Sequence, residues 1–143
     1  GPAGENGDQG EPGSADPGVL MGHTTGLLTG GGQDTLALVG AAPHDLTGET
    51  LIFKSPPYPV TATDFRVTLD DAAPGAGDAR QFNFNTIDEG TLLSCTIANS
   101  FTSCEDSDSG EVPANSTIYI YENVSGSPEA TGAFTTLTLR PAE

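Results

Sequence analysis

The chain has 143 residues, with 20 acidic residues against Lys54, Arg66, Arg80 and Arg140, and a formal net charge of −16. That balance excludes the basic footprint that nucleic-acid phosphates demand and opposes anionic membrane surfaces. No apolar run approaches the roughly 20 residues of a membrane span, and two cysteines with no second Cys/His cluster do not make a zinc site.

Residues 1–15 are five consecutive Gly-X-Y triplets, with glycine at Gly1, Gly4, Gly7, Gly10 and Gly13. A collagen strand is a polyproline-II helix packed with two others, and every third residue meets an axis where only glycine fits. The competing reading is a flexible Gly/Pro linker. The run stops at Asp16, so residues 16–18 are a break and residues 19–143 form a single domain, long enough for its own core. Glu5, Asp8 and Glu11 have no cation in the repeat to pair with. Three such strands would repel one another, so the trimer must be nucleated by the body that follows. The opening Gly1-Pro2 also fits an expression scar, and the open start of the repeat suggests a longer collagen-like protein.

After the break, 19–28 and 34–39 flank the turn-rich Gly30-Gly31-Gly32, and 50–54 is a short β-prone run stopped by Pro56-Pro57. Phe65, Val67 and Leu69 then alternate with Asp64, Arg66 and Thr68. A loop is expected over 70–77. Phe82 and Phe84 alternate with Gln81, Asn83 and Asn85, and Leu93, Cys95 and Ile97 face inward on the next strand. Ala98-Asn99-Ser100 suits a turn, so Cys95 and Cys104 are expected to form a disulfide across a hairpin; two buried free thiols are the alternative. Ile118 and Ile120 share one face of the next strand, with Tyr119 and Tyr121 on the other, and Leu137 and Leu139 point inward on the last. Eight or nine short strands, 18 threonines and no helical period predict an all-β, antiparallel, jelly-roll-like sandwich.

Collagen-like triplets ahead of about 125 β-rich residues resemble bacterial or phage collagen-like proteins. Their C-terminal heads are trimeric jelly rolls similar to the complement/tumour-necrosis-factor superfamily. The stretch Leu92-Leu93-Ser94-Cys95 … Cys104 … Val112-Pro113-Ala114 … Ile118-Tyr119-Ile120 is similar to the end of such heads, and 134–141 resembles their closing strand. The resemblance implies a homotrimer at a cell or virion surface.

Catalytic templates fail: His23 and His44 stand alone, and neither HExxH nor GxSxG occurs. No catalytic residue and no obligatory cofactor is expected. Paired acids such as Asp70-Asp71 read better as solvated loop. Asp106, Asp108 and Glu111, beside Gly110, have the alternate carboxylates of a calcium loop but lack its twelfth-position glutamate; a plain solvated loop is the alternative. Asn115 and Asn123 open glycosylation sequons on or beside a predicted strand. Tyr119 and Tyr121 are the candidate trimer interface. Three function classes follow: a trimerisation head for a collagen-like stalk, an adhesive tip for a host-surface or matrix receptor, and, last, an enzyme.

Overall fold

Side-chain alternation with period two leaves each of these segments one apolar and one polar face, and two sheets that share their apolar faces bury both. The computed structural model describes residues 18–43 and 51–142. The five triplet glycines and His44 lie outside the described residues. Eleven strands are present in that part: β1 (Gly18–Thr25), β2 (Gly32–Leu36), β3 (Gly40–Pro43), β4 (Phe53–Lys54), β5 (Val60–Leu69), β6 (Gly75–Thr86), β7 (Gly90–Asn99), β8 (Ser103–Asp106), β9 (Gly110–Val112), β10 (Thr117–Ser125) and β11 (Ala133–Pro141).

The first sheet runs β3-β1-β11-β5-β8, with β9 continuing the β8 side of β5. The second runs β2-β10-β6-β7, with β4 also on β10. All ladders are antiparallel except β1 with β3. The chain changes sheet at every connection except β6–β7 and β8–β9, which gives the jelly-roll-like sandwich expected. The loop before β6 is shorter than the sequence suggests, since β6 already begins at Gly75.

Phe65, Val67, Leu69, Phe82, Phe84, Ile97, Ile118 and Leu137 are all buried, as predicted. Leu139 is half-buried: it lines an apolar opening of about 310 Å³ with Leu20, Leu38, Phe53 and Ile118.

β5 changes phase along its length. Val60 and Ala62 are buried at even positions, then Phe65, Val67 and Leu69 at odd ones. The ladder to β11 slips at this point, with Thr136 facing Arg66 but Thr138 facing Thr63. Asp64 and Phe65 therefore stand opposite the single residue Leu137. Asp64 takes a left-handed φ of 58°, a conformation that Asp tolerates better than most residues. The bulge keeps both halves of β5 packed inward.

A polar clamp joins the sheets near Gly22. The Ala37 N–H, just past β2, donates to Thr24 Oγ1 at 2.8 Å, and Thr135 Oγ1 donates to the Ala37 carbonyl at 3.1 Å. Gly22 lies beneath this peptide, and a Cβ there would collide with the Ala37 carbonyl. Gly22→Ala is expected to destabilise the fold by roughly 1–3 kcal/mol, the usual range for overpacking, measured by chemical denaturation.

Candidate functional site

Cys95 and Cys104 form a disulfide, with Cα atoms 5.7 Å apart. It does not span a β-hairpin. Asn99 takes a left-handed φ of 56° and Phe101 N–H donates to the Ala98 carbonyl at 3.1 Å, closing a tight turn. Beyond the turn the chain enters the other sheet, where Cys104 pairs with Val67 of β5 rather than with β7. The bond therefore ties the edge of one sheet to the edge of the other. Closing a ten-residue loop stabilises by roughly 2.5–3 kcal/mol on the chain-entropy estimate.

The acidic loop serves the same edge. Asp106 Oδ2 accepts from the Ser94 N–H of β7 at 2.8 Å, and its Oδ1 accepts from the Asp108 N–H at 2.9 Å. Glu111 Oε2 accepts from Thr61 Oγ1 at 2.9 Å. Among the described residues no three His, Cys, Asp or Glu side chains are grouped as a metal ion requires. Asp106 acts here as a cap on two backbone donors.

Tyr119 and Tyr121 point outward from β10, half-buried, with ring centroids 6.1 Å apart and planes tilted by 35°. They sit in three cross-strand rows: Gln33–Asn123–Gln81–Thr96, Thr35–Tyr121–Asn83–Ser94, and Tyr119–Asn85–Thr91. Asn85 donates to the Tyr119 hydroxyl at 3.4 Å and accepts from Thr91 Oγ1 at 3.0 Å, while Asn123 donates to Gln81 Oε1 at 3.1 Å. None of these row positions is charged. Lys54 of β4 stands at the corner of the sheet, paired to Thr117.

The outward face of the first sheet differs. Val19 and Met21 on β1 and Phe134 on β11 are all more than half exposed; Met21 pairs with Thr136 and His23 with Phe134, so Phe134 lies diagonally across from Met21. His23 stacks on Phe134 at 4.2 Å and its Nε2 lies 2.8 Å from Asp70 Oδ2, so this histidine does not stand alone as its sequence context suggests. A groove of about 470 Å³ runs beside the stripe, past Asp64, Arg66, Glu105 and Asp106. Arg66 Nε donates to Glu105 Oε1 at 3.2 Å, an exposed pair of small energetic weight.

A charged cluster inside the second sheet is absent from the sequence expectations. Arg80 and Glu122 are fully buried. Arg80 Nη1 donates to Glu122 Oε2 at 2.8 Å, and Nη2 donates to the Glu129 carbonyl at 2.8 Å, tying down the β10–β11 connection. Asp34 is the cross-strand neighbour of Glu122. Desolvation by burial pushes the Glu122 pKa up to about 8, with Asp34 adding to the rise and Arg80 opposing it. The Glu122 carboxyl therefore holds its proton more tightly than an exposed glutamate does, with Asp34 beside it across the ladder. The signal was present in the parity of Arg80-x-Phe82-x-Phe84 and of Ile118-x-Ile120-x-Glu122, which puts each charge on an apolar face.

Two outcomes follow from this geometry. Cys95→Ala with Cys104→Ala should lower unfolding free energy by roughly 2–3 kcal/mol, read from denaturant midpoints. Glu122 binds its proton more tightly folded than unfolded, so its contribution is fully present below pH 4.5 and is lost as pH rises through about 8. Glu122→Gln keeps a neutral side chain there; its stability relative to the parent should rise across that window. A parallel pH profile for the two proteins would refute the assignment.

No protein-family model matches the chain, and no curated protein matches its sequence. Among solved structures it is similar to a chain of the acidic stable capsid structure of Helicobacter pylori bacteriophage KHP30, with a TM-score of 0.50 and 12% identity over 90% of each chain. At that identity the likeness is one of fold: the chain is an all-β sandwich with a counterpart in a bacteriophage capsid structure.

Proposed function

We propose that this chain is a non-catalytic structural subunit of a virion or cell surface, a head that associates as a homotrimer and holds three collagen-like strands in register. The observation that carries this reading is the continuity between the triplets and β1. The last glycine of the Gly-X-Y run is Gly13, and β1 begins at Gly18. Five residues span at most about 18 Å, so in a trimer the start of β1 stays close to the three-fold axis. Its first outward side chains, Val19 and Met21, join Phe134 in an exposed apolar stripe, the composition of an interface core.

The stripe suits self-association better than the Tyr119/Tyr121 face, whose rings are already half-covered within an amide lattice. Fold likeness to a chain of a phage capsid structure favours the virion over the cell surface. Association of the heads raises the local concentration of the three strands, which compensates for their unpaired carboxylates.

Sedimentation of the full chain at micromolar concentration should give three times the 14.5 kDa of one chain. Met21→Glu with Phe134→Glu should shift it to monomer while retaining the β-sheet circular dichroism. A parent chain that sediments as a monomer would end the proposal.

A further inference from the structure

We propose that the outward face of the β2-β10-β6-β7 sheet binds neutral carbohydrate. In a chain of net charge −16, three adjacent cross-strand rows of this face carry no charge. Thr35, Asn83 and Asn85 are buried beneath; what the rows present is two half-buried tyrosine rings, the amides of Gln33, Gln81 and Asn123, and the hydroxyls of Thr91, Ser94 and Thr96.

Each group matches a feature of a sugar. A tyrosine offers a broad, rigid, amphipathic surface at low cost in conformational entropy, suited to the C–H face of a pyranose ring. The primary amides of Gln81 and Asn123 each carry both donors and an acceptor, as sugar hydroxyls do. Hydrogen bonds from Asn85 to Tyr119, from Thr91 to Asn85 and from Asn123 to Gln81 already hold this surface in place, so little ordering is left to be done on binding.

The charge pattern selects among ligands. With no lysine or arginine in the rows, sulfate, phosphate and sialate find no cation, and the field of the whole chain repels them. With no carboxylate there, a basic protein has nothing on this face to pair with and would be drawn to the acidic surface elsewhere. An uncharged oligosaccharide needs neither. The inference is independent of the trimer, although three copies would raise the avidity of weak single sites.

Saturation-transfer NMR of the full chain, with neutral gluco-, galacto-, manno- and N-acetylhexosamine oligosaccharides and their sialylated and sulfated counterparts, tests it. At least one neutral oligosaccharide should bind, with Kd of about 1 mM or below, and its binding should not weaken with added salt, while the anionic counterparts should bind less. Tyr119→Ala with Tyr121→Ala should weaken binding by about tenfold or more. Gln81→Ala, an exposed change that spares the fold, should weaken it by a smaller factor, and Tyr121→Phe should retain most of it. Failure of every neutral oligosaccharide, preference for the anionic ones, or binding indifferent to Gln81→Ala and the tyrosine pair would overturn the proposal. So would a tyrosine-pair variant that stays folded but sediments as a smaller species than the parent, since the face would then be covered by a second copy. A monomeric parent that still binds the sugar would remove the trimer and leave this site standing.

Discussion

Everything in this sandwich depends on β5 keeping its apolar side chains inward along its whole length. β5 is the hub of the first sheet, paired to β11 on one side and to β8 and β9 on the other. A regular strand through Val60, Ala62, Phe65, Val67 and Leu69 would send one of the two sets into solvent. The bulge at Asp64 resolves the conflict and separates the partners of β5, with β9 against its first half and β8 against its second. The groove along Asp64, Arg66 and Glu105 lies at the same point.

The two ends of the second sheet are stabilised by different means. At the β7 edge the disulfide and the Asp106 carboxylate connect to the first sheet. Toward β2, Arg80, Glu122 and Asp34 replace apolar packing with charge held between strands. Burying such a group is expensive unless it is neutralised and hydrogen-bonded. The Arg80 bond to Glu122 and the raised Glu122 pKa both lower that cost, and the Arg80 bond to the Glu129 carbonyl ties the cluster to the loop that leads into β11.

Much of the fold was legible because alternation is a strong signal where one face is buried and the other wet. Phe82-x-Phe84 and Ile118-x-Ile120 gave both the strands and their inward faces. The cysteine pair was legible as a bond, but its place between sheets was not, since a tight turn at Asn99 serves a hairpin and a sheet change equally well. Arg80 and Glu122 were overlooked because charge is ordinarily read as exposure, even where parity argues otherwise. The bulge was readable as the shift from even to odd apolar positions between Ala62 and Phe65. The neutral rows emerged only from the register, which sets Gln33, Asn123, Gln81 and Thr96 side by side from three distant segments.

The inter-sheet disulfide has a consequence for how the two sheet edges are joined. Cys95 is fixed by its ladder to Phe82 and Cys104 by its ladder to Val67, so each thiol is delivered to its place by backbone pairing alone. Oxidation of two thiols already held with their Cα atoms 5.7 Å apart joins the edges of both sheets without rearranging either ladder.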